Sequence, residues 1–308
     1  MKTGHVLPEL KYVGNEKHKL TLHLFFQILG KIRMSFTPRK NHWWYITLYV
    51  YEKGFTTGPI PINKGFESFS VSLNILEHRV DIVKSTGDIR SFRLEKNLSV
   101  SDFYNYLTSI LRELDINIRI NAKPYEVGIE KHFSEIHDIH HYNKKYAAQY
   151  WKAFLWVNSI FNEFSGRFYG KTSPSQLFWH SMDLAVTRFS GKKVPTNSDS
   201  NIANKDSYSH ECISFGFWAG DENTQEPAFY SYAFPSPEHL DKETLEPAEA
   251  NWIMINGGPM AILTYADLAR KDNPGKVLLE FMESAYQASA GLADWDIDAF
   301  KVPPLKEL

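Results

Sequence analysis

Hydrophobic residues recur along this chain at two different spacings. In HKLTLHLFFQILGKIRMSF, residues 18–36, they fall three and four positions apart, which predicts an amphipathic helix that buries Leu22, Phe25 and Leu29. Another face of this helix carries polar side chains four residues apart: His23, Gln27 and Lys31. The same spacing predicts three further helices, over residues 99–115, 146–170 and 275–295.

Between these helices the chain is rich in β-branched and aromatic residues and is interrupted by Gly, Pro and Asn, a pattern typical of antiparallel strands. The predicted strand segments are 41–54, 66–83, 89–95, 175–191, 209–218 and 228–235. The order indicates an α+β fold of two similar helix, antiparallel-sheet, helix units packed together. We predict an N-terminal unit over residues 1–127, a polar, histidine-rich linker over 128–145 and a C-terminal unit over 146–308.

The two halves share a local pattern. Each predicted first helix ends near a Gly-Lys pair, Gly30-Lys31 or Gly170-Lys171, and an aromatic pair in a predicted strand follows. This pattern favours an internal repeat and predicts that the halves superpose. The alternative left open is that α+β domains resemble one another at this level of detail.

The segment FWHSMDLAVTRFSGKK, residues 178–193, sets one carboxylate in an apolar strand pattern. Strict alternation places Leu184 and Arg188 on a core face and Asp183 on the opposite face, with small or polar neighbours. The odd spacing of Asp183 and Arg188 argues against a direct pair, so His210 from another strand is the predicted partner of Asp183. The Asp183 face is either solvated or the wall of a cleft.

Neighbouring predicted strands carry a similar mixture of aromatic and small polar side chains on one face. The two sets are Trp43, Tyr45, Thr47, Tyr49 and His210, Cys212, Ser214, Gly216, Trp218. This composition is typical of small-molecule clefts. The single thiol, Cys212, is predicted to be a buried and inert strand residue.

Composition and net charge disfavour several classes of partner. A formal charge of −2 and a pI near 6.6 disfavour nucleic acid as a partner, because its recognition needs a basic face. The segment MKTGHVLPELKY lacks an apolar signal core, and no run approaches the roughly 20 apolar residues of a membrane span. With one cysteine, these features predict a cytoplasmic protein without a membrane partner. Oligomeric state is left open.

Three motifs resemble metal or nucleotide sites. Pairs among the linker histidines His132, His137, His140 and His141 stand at helical spacing, but polar histidine-rich segments are mostly solvated. SGRFYGKTS, residues 165–173, has Ser165 where a P-loop needs glycine and follows a helix, so Lys171 is interpreted as a residue beyond a helix end. His210 and Glu211 are adjacent in a strand and point to opposite faces. We therefore predict no metal site and no cofactor.

Six segments carry a resemblance: LHLFFQILGKIRMSFTP, NHWWYITLYV, FTTGPIP, FWHSMDLAVTRFSGKK, SHECISFGFW and EPAFYSYAFP. They are similar to bacterial proteins of the domain-of-unknown-function family 5996, over nearly the whole chain. The resemblance implies no established activity or cofactor. It singles out His23, Gln27, Lys31, Asn41, His42, Asp183, Arg188, His210 and Glu211, and His180 departs from the small residue expected after Phe-Trp.

The leading hypothesis is that the two sheets meet over an aromatic-lined cleft that binds a small polar or anionic molecule. Asp183 and His210 would supply proton transfer, as in a cofactor-independent hydrolase-like reaction. The predicted binding residues are His23, Gln27, Lys31, His42, Trp43, Arg188 and Glu211. The alternative is a non-catalytic ligand sensor or an assembly protein, in which Asp183 and Arg188 make structural contacts.

Overall fold

A computed structural model describes residues 7–195, 202–255 and 257–307 of the chain. It is an α+β protein with two helix, antiparallel-sheet, helix units. The helices are α1 (Glu16–Phe36), α2 (Val100–Glu113), α3 (Lys144–Ser165), α4 (Ile202–Ser207), α5 (Tyr265–Ala269), α6 (Pro274–Leu292) and α7 (Ile297–Phe300). No helix within these ranges combines the length and the apolar character needed to cross a membrane.

Each unit contains a six-stranded antiparallel sheet. The first is built from β1 (Tyr49–Tyr51), β2 (Gly54–Thr56), β3 (Ile60–Ile62), β4 (Glu67–Asn74), β5 (Arg79–Lys84) and β6 (Ile89–Arg93). The second is built from β7 (Gln176–Phe178), β8 (Asp183–Lys193), β9 (His210–Trp218), β10 (Ala228–Phe234), β11 (Asn251–Ile255) and β12 (Gly258–Thr264). The first runs β1-β2-β4-β5-β6, with β3 also on β4, and the second runs β11-β12-β10-β9-β8-β7.

The four long helices form where the periodicity predicts them. Ser99 caps α2 and exchanges hydrogen bonds with Asp102, which satisfies backbone groups that a helix start leaves free. In α1, Leu22, Phe25 and Leu29 are buried, as predicted. Gly30 allows this helix to lie against Trp179, because a Cβ there would come within 2.1 Å of the indole ring.

The two sheets join edge to edge. Leu48, just before β1, and Leu177 of β7 exchange two backbone hydrogen bonds, of 2.9 and 2.8 Å. A continuous apolar core then extends from α1 and the first sheet through α3 to the second sheet and α6. The side-by-side arrangement differs from the predicted cleft between sheets, because an edge junction does not bring two sheet faces opposite one another.

Three predicted strand segments were wrong in part. The segment 66–83 is a hairpin of β4 and β5, in which Asn74 pairs with Arg79. Residues Asn41–Trp43 form a 3-10 turn, in which His42 and Trp43 have positive φ angles of 57° and 60°. The predicted strand 175–191 is a hairpin: the chain turns over residues 179–182, so that Phe178 pairs with Asp183. Strand composition alone could not reveal the turns over residues 41–43 and 179–182, because neither turn contains the Gly or Pro that usually marks one.

Candidate functional site

The predicted faces of β8 and β9 are confirmed by their register. Asp183 pairs with Trp218, Thr187 with Ser214 and Phe189 with Cys212, so that these side chains share one side of the sheet. The other side packs on α3 and α6. We call the first side the outer face, defined by Asp183, Thr187, Ser214, Trp218, Tyr230 and Tyr232.

Asp183 is held at one end of the outer face by two hydroxyl groups. The phenol of Tyr230, on β10, donates to Asp183 Oδ2 over 2.5 Å, and Ser181 donates to Oδ1. Tyr230 reaches across β9 because its partner in the register is Gly216, where a Cβ would lie 2.1 Å from the ring. The small residue is therefore required for the Asp183–Tyr230 contact.

A row of hydroxyl groups continues along this face. The Tyr230 and Tyr232 rings stack with centroids 6.1 Å apart, and the Tyr232 and Tyr208 hydroxyls lie 3.0 Å apart. Thr187 and Ser214 make a further contact of 3.1 Å. Burial raises the pKa of Tyr230 and Tyr232 well above the usual range, so both phenols stay protonated and act as neutral donors.

The opposite end of the outer face is basic. His42 is buried there, and Lys171 Nζ lies 2.6 Å from its Nε2. His42 Nδ1 lies 3.1 Å from the carbonyl oxygen of Ser207 and must donate to it, so in the neutral ring Nε2 accepts from the Lys171 ammonium. The ring of His210 lies 5.9 Å from that of His42. We call His42, Lys171 and His210 the basic cluster.

Aromatic rings surround the Lys171 ammonium, whose Nζ lies 5.3 Å from the centroid of Trp44 and 4.9 Å from that of Phe189. Burial and the charge of Lys171 lower the pKa of His42, and burial lowers that of Lys171. Within the described part of the chain, no carboxylate lies within 4.0 Å of a basic-cluster nitrogen. The nearby carboxylate of Asp206 instead pairs with Arg39 at 2.8 Å.

Asp183 and His210 do not meet. Asp183 pairs with Trp218 and His210 pairs with Lys193, at opposite ends of β9. Trp218 lies eight residue steps along β9 from His210, which is about 26 Å at roughly 3.3 Å per residue. The predicted Asp183–His210 partnership was therefore wrong, because the relative stagger of two strands is a property of their pairing and not of either sequence.

Arg188 lies in the core on the opposite side of the sheet from Asp183. Its guanidinium carbon is 3.6 Å from the Phe164 ring centroid and 4.5 Å from that of Tyr286. A guanidinium N–H of Arg188 donates to the Phe164 carbonyl over 2.7 Å. Glu283 lies 3.8 Å away. The structure thus encloses Arg188 in aromatic rings, away from the outer face.

The polar residues of α1 lie at the junction of the two units. His23 donates to the carbonyl of His180 over 3.1 Å, and Gln27 makes two hydrogen bonds with the backbone of Tyr125, of 2.9 and 2.7 Å. Lys31 is buried with its Nζ 5.7 Å from the Trp179 ring centroid. These contacts join α1 to neighbouring loops and do not bring Lys31 together with Asp183, Arg188 and His210.

The remaining predicted site residues lie either in the turn at residues 41–43 or, in the case of Glu211, on the side of β9 opposite the outer face. Asn41 begins the turn that carries His42, and Trp43 stacks on Tyr45 with centroids 5.5 Å apart. Glu211 accepts hydrogen bonds from Ser190 and from the Trp295 indole, of 2.8 and 3.0 Å. His210 and Glu211 therefore have separate surroundings, as their adjacency in a strand predicts.

Sequence reasoning missed Lys171, Tyr208 and Tyr230. Lys171 follows directly after the helix predicted over residues 146–170 and was interpreted only as a charge beyond that helix end. Its contact with His42 joins residues 129 positions apart in the chain. The even spacing of Tyr230 and Tyr232 in a predicted strand was a signal that could have placed them on one face. Among the residues that the structure describes, no three His, Cys, Asp or Glu side chains group together as a metal site would require.

The Asp183→Asn variant should lose about 1–3 kcal/mol of folding free energy, because hydrogen bonds to a charged acceptor are among the stronger ones. The measurement is urea denaturation of Asp183→Asn, Tyr230→Phe and the double variant, with the exposed Asp272→Asn as the matched control. If the two side chains interact, the stability losses of the two single variants should add up to more than the loss measured for the double variant. Additive losses, or a single variant as stable as the parent, would show that the contact contributes nothing.

Burial lowers the pKa of His23 to about 3, so the unfolded chain binds a proton below about pH 6.5 that the folded chain does not. Stability present above pH 6.5 should therefore fall on acidification, by about 1–2 kcal/mol between pH 7 and pH 5 for this half-buried group. His23→Gln should reduce that fall, whereas the exposed His137→Gln should not. Equal pH dependence in the parent and His23→Gln would refute the assignment.

Cys212 is 3% exposed, and burial raises its pKa to about 12. We expect a disulfide-exchange reagent at neutral pH to label the folded protein far more slowly than the urea-unfolded protein, because the thiolate is the reactive form. Equal labelling rates would contradict this prediction. The buried position agrees with the inert role predicted for the residue.

Comparison with curated proteins and with solved structures finds no match. One family model, described as a family of unknown function (DUF5996), matches residues 7–302, which is nearly the whole chain. That range includes both units, the outer face and the basic cluster, and the chain therefore belongs to the DUF5996 family of unknown function.

Proposed function

We propose that the outer face binds a small organic molecule with an anionic group, and that the basic cluster holds that group. One observation carries the proposal: Lys171 and His210 stand beside aromatic rings with no carboxylate within 4.0 Å in the described residues. A cation that no carboxylate contacts directly attracts an anion, and aromatic walls beside a few polar groups are typical of ligand sites. The single buried thiol suits a reducing compartment, so we place this activity in the cytoplasm.

The two ends of the outer face would have different roles. Lys171 supplies charge, and Trp44 and Phe189 flank the ligand body. The Tyr208 and Tyr232 hydroxyls, 3.0 Å apart, supply hydrogen bonds beyond the charged group. Asp183 holds the Tyr230 ring at the end of the outer face that is far from the basic cluster. Its role would be to shape the outer face, without contact to the anion.

The first test is mass spectrometry of small molecules that copurify with the parent, with Lys171→Ala and with the exposed Lys152→Ala as the matched control. Anionic molecules should accompany the parent and the control and be lost from Lys171→Ala. Titration with benzoate, and with neutral benzamide, should show about tenfold weaker benzoate binding in Lys171→Ala, the effect of losing one charge contact of about 1.4 kcal/mol. The proposal fails if the parent, Lys171→Ala and Lys152→Ala carry the same anionic molecules and bind benzoate with equal affinity.

Acid/base catalysis without a cofactor is a second candidate function, favoured by the Lys171–His42 contact of 2.6 Å. The lowered pKa of each group provides a neutral base beside an acid that releases its proton more readily than an ordinary lysine. Hydrolysis of a panel of carboxylic and phosphate esters by the parent, but not by His42→Gln, would support it. Equal rates for the two proteins would exclude His42 from such a role.

A further inference from the structure

A second cluster of basic side chains lines an open cavity of about 350 Å³ on a different part of the molecule. Its basic lining residues are His18, Lys96, His140, His141, Lys144 and Lys145. They come from the start of α1, the loop before α2, the predicted linker and the first turn of α3. We call this cavity the linker pocket.

The lysines of the linker pocket make no direct ion pair. No carboxylate lines the cavity, and in the described ranges none lies within 4.0 Å of Lys96, Lys144 or Lys145. Other lysines of the same region are paired, since Lys123 contacts Glu130 and Lys131 lies 3.7 Å from Asp138. The linker pocket therefore groups three lysines that no carboxylate contacts directly.

The fold adds to this positive charge. Lys144 and Lys145 occupy the first turn of the 22-residue helix α3, and that first turn contains no acidic residue. A helix start carries partial positive charge and usually attracts Asp or Glu, so two lysines there repel the helix dipole and each other. An anion in the pocket would relieve both repulsions.

Hydrogen bonds fix the walls of the pocket. Asn143 accepts from the Tyr146 amide through Oδ1, so its Nδ2 donates to His18 Nε2 over 3.2 Å. His18 Nδ1 in turn donates to the carbonyl of His141 over 2.8 Å. The His141 amide donates to Thr21 over 3.2 Å. The pocket is thus held in shape without a ligand.

We propose that the linker pocket is a second anion site, which takes a phosphate dianion carried by a small phosphomonoester. Lysine ammonium groups bind phosphate as point charges, and three of them around one cavity match a compact dianion better than a single carboxylate. The volume lies within the range of small-molecule sites and leaves room for a small organic group on the phosphate. This site is independent of the one proposed on the outer face.

Calorimetric titration with glycerol 2-phosphate at constant ionic strength tests the proposal. Lys144→Ala/Lys145→Ala should bind at least about tenfold more weakly than the parent. Lys123→Ala/Lys131→Ala removes the same charge from the same region and should bind like the parent. The proposal is overturned if the parent shows no binding below roughly 10 mM, or if both double variants lose affinity equally.

Melting temperature without the probe provides a second measurement. Removing two lysines from a positive helix start should raise the melting temperature of Lys144→Ala/Lys145→Ala by about 1–4 °C, because the uncompensated repulsion is gone. The probe should raise the melting temperature of the parent and leave that of this variant unchanged. An unchanged or lower melting temperature in the probe-free variant would show that Lys144 and Lys145 do not repel each other or the helix dipole, and would count against the site.

Discussion

Arg188→Ala should lower the free energy of unfolding by about 3–5 kcal/mol, the scale of removing a large buried side chain. Arg188 is 1% exposed, and its guanidinium lies against the rings of Phe164, Phe168 and Tyr286. The truncation would leave a cavity among these rings and remove the hydrogen bond to the Phe164 carbonyl. Urea denaturation of the parent and the variant measures the loss.

Arg188→Met separates packing from charge, since methionine retains most of the volume without the guanidinium. We expect it to recover much of the lost stability, because a well-packed apolar residue can replace a buried charge with little cost. Either variant, if folded, should keep the ligands of the outer face, which lies on the other side of the sheet. Loss of those ligands from a stable Arg188→Met protein would return Arg188 to the binding site.

Leu29→Ala should cost about 2–5 kcal/mol, as truncation of a fully buried leucine does. Leu29 is 0% exposed on α1, in the core that both units share. Leu155→Ala is the matched control, because Leu155 is also helical but 37% exposed. Chemical denaturation of both variants gives the comparison.

The control should lose much less than Leu29→Ala, within about 1 kcal/mol, because its side chain already contacts water. A Leu29→Ala loss below about half a kcal/mol would show that this face of α1 is wrongly assigned. A large and equal loss in both variants would mean that the two positions do not differ in burial. Either result would conflict with the structure.

Local patterns predicted much of the fold. The 3.6-residue periodicity located α1, α2, α3 and α6, because a helix buries one stripe whatever covers it. The two-residue alternation placed Asp183 and Arg188 on opposite faces of β8, and the register confirms this placement. The two-unit α+β class followed from the order of these elements. The domain boundaries and the internal repeat stay predictions.

The candidate site depended on contacts between distant parts of the chain. The pairing of β8 with β9 separated Asp183 from His210, and Gly216 allowed Tyr230 to reach Asp183 instead. Two consecutive residues with positive φ, His42 and Trp43, turned a predicted strand into the turn that brings His42 to Lys171. The sequence by itself therefore determined the helices, the strand faces and the residue types available for chemistry, since these depend on neighbours a few positions apart. Only the tertiary structure decided which of those residues meet, because strand stagger, turns and edge pairing minimise the free energy of the whole chain.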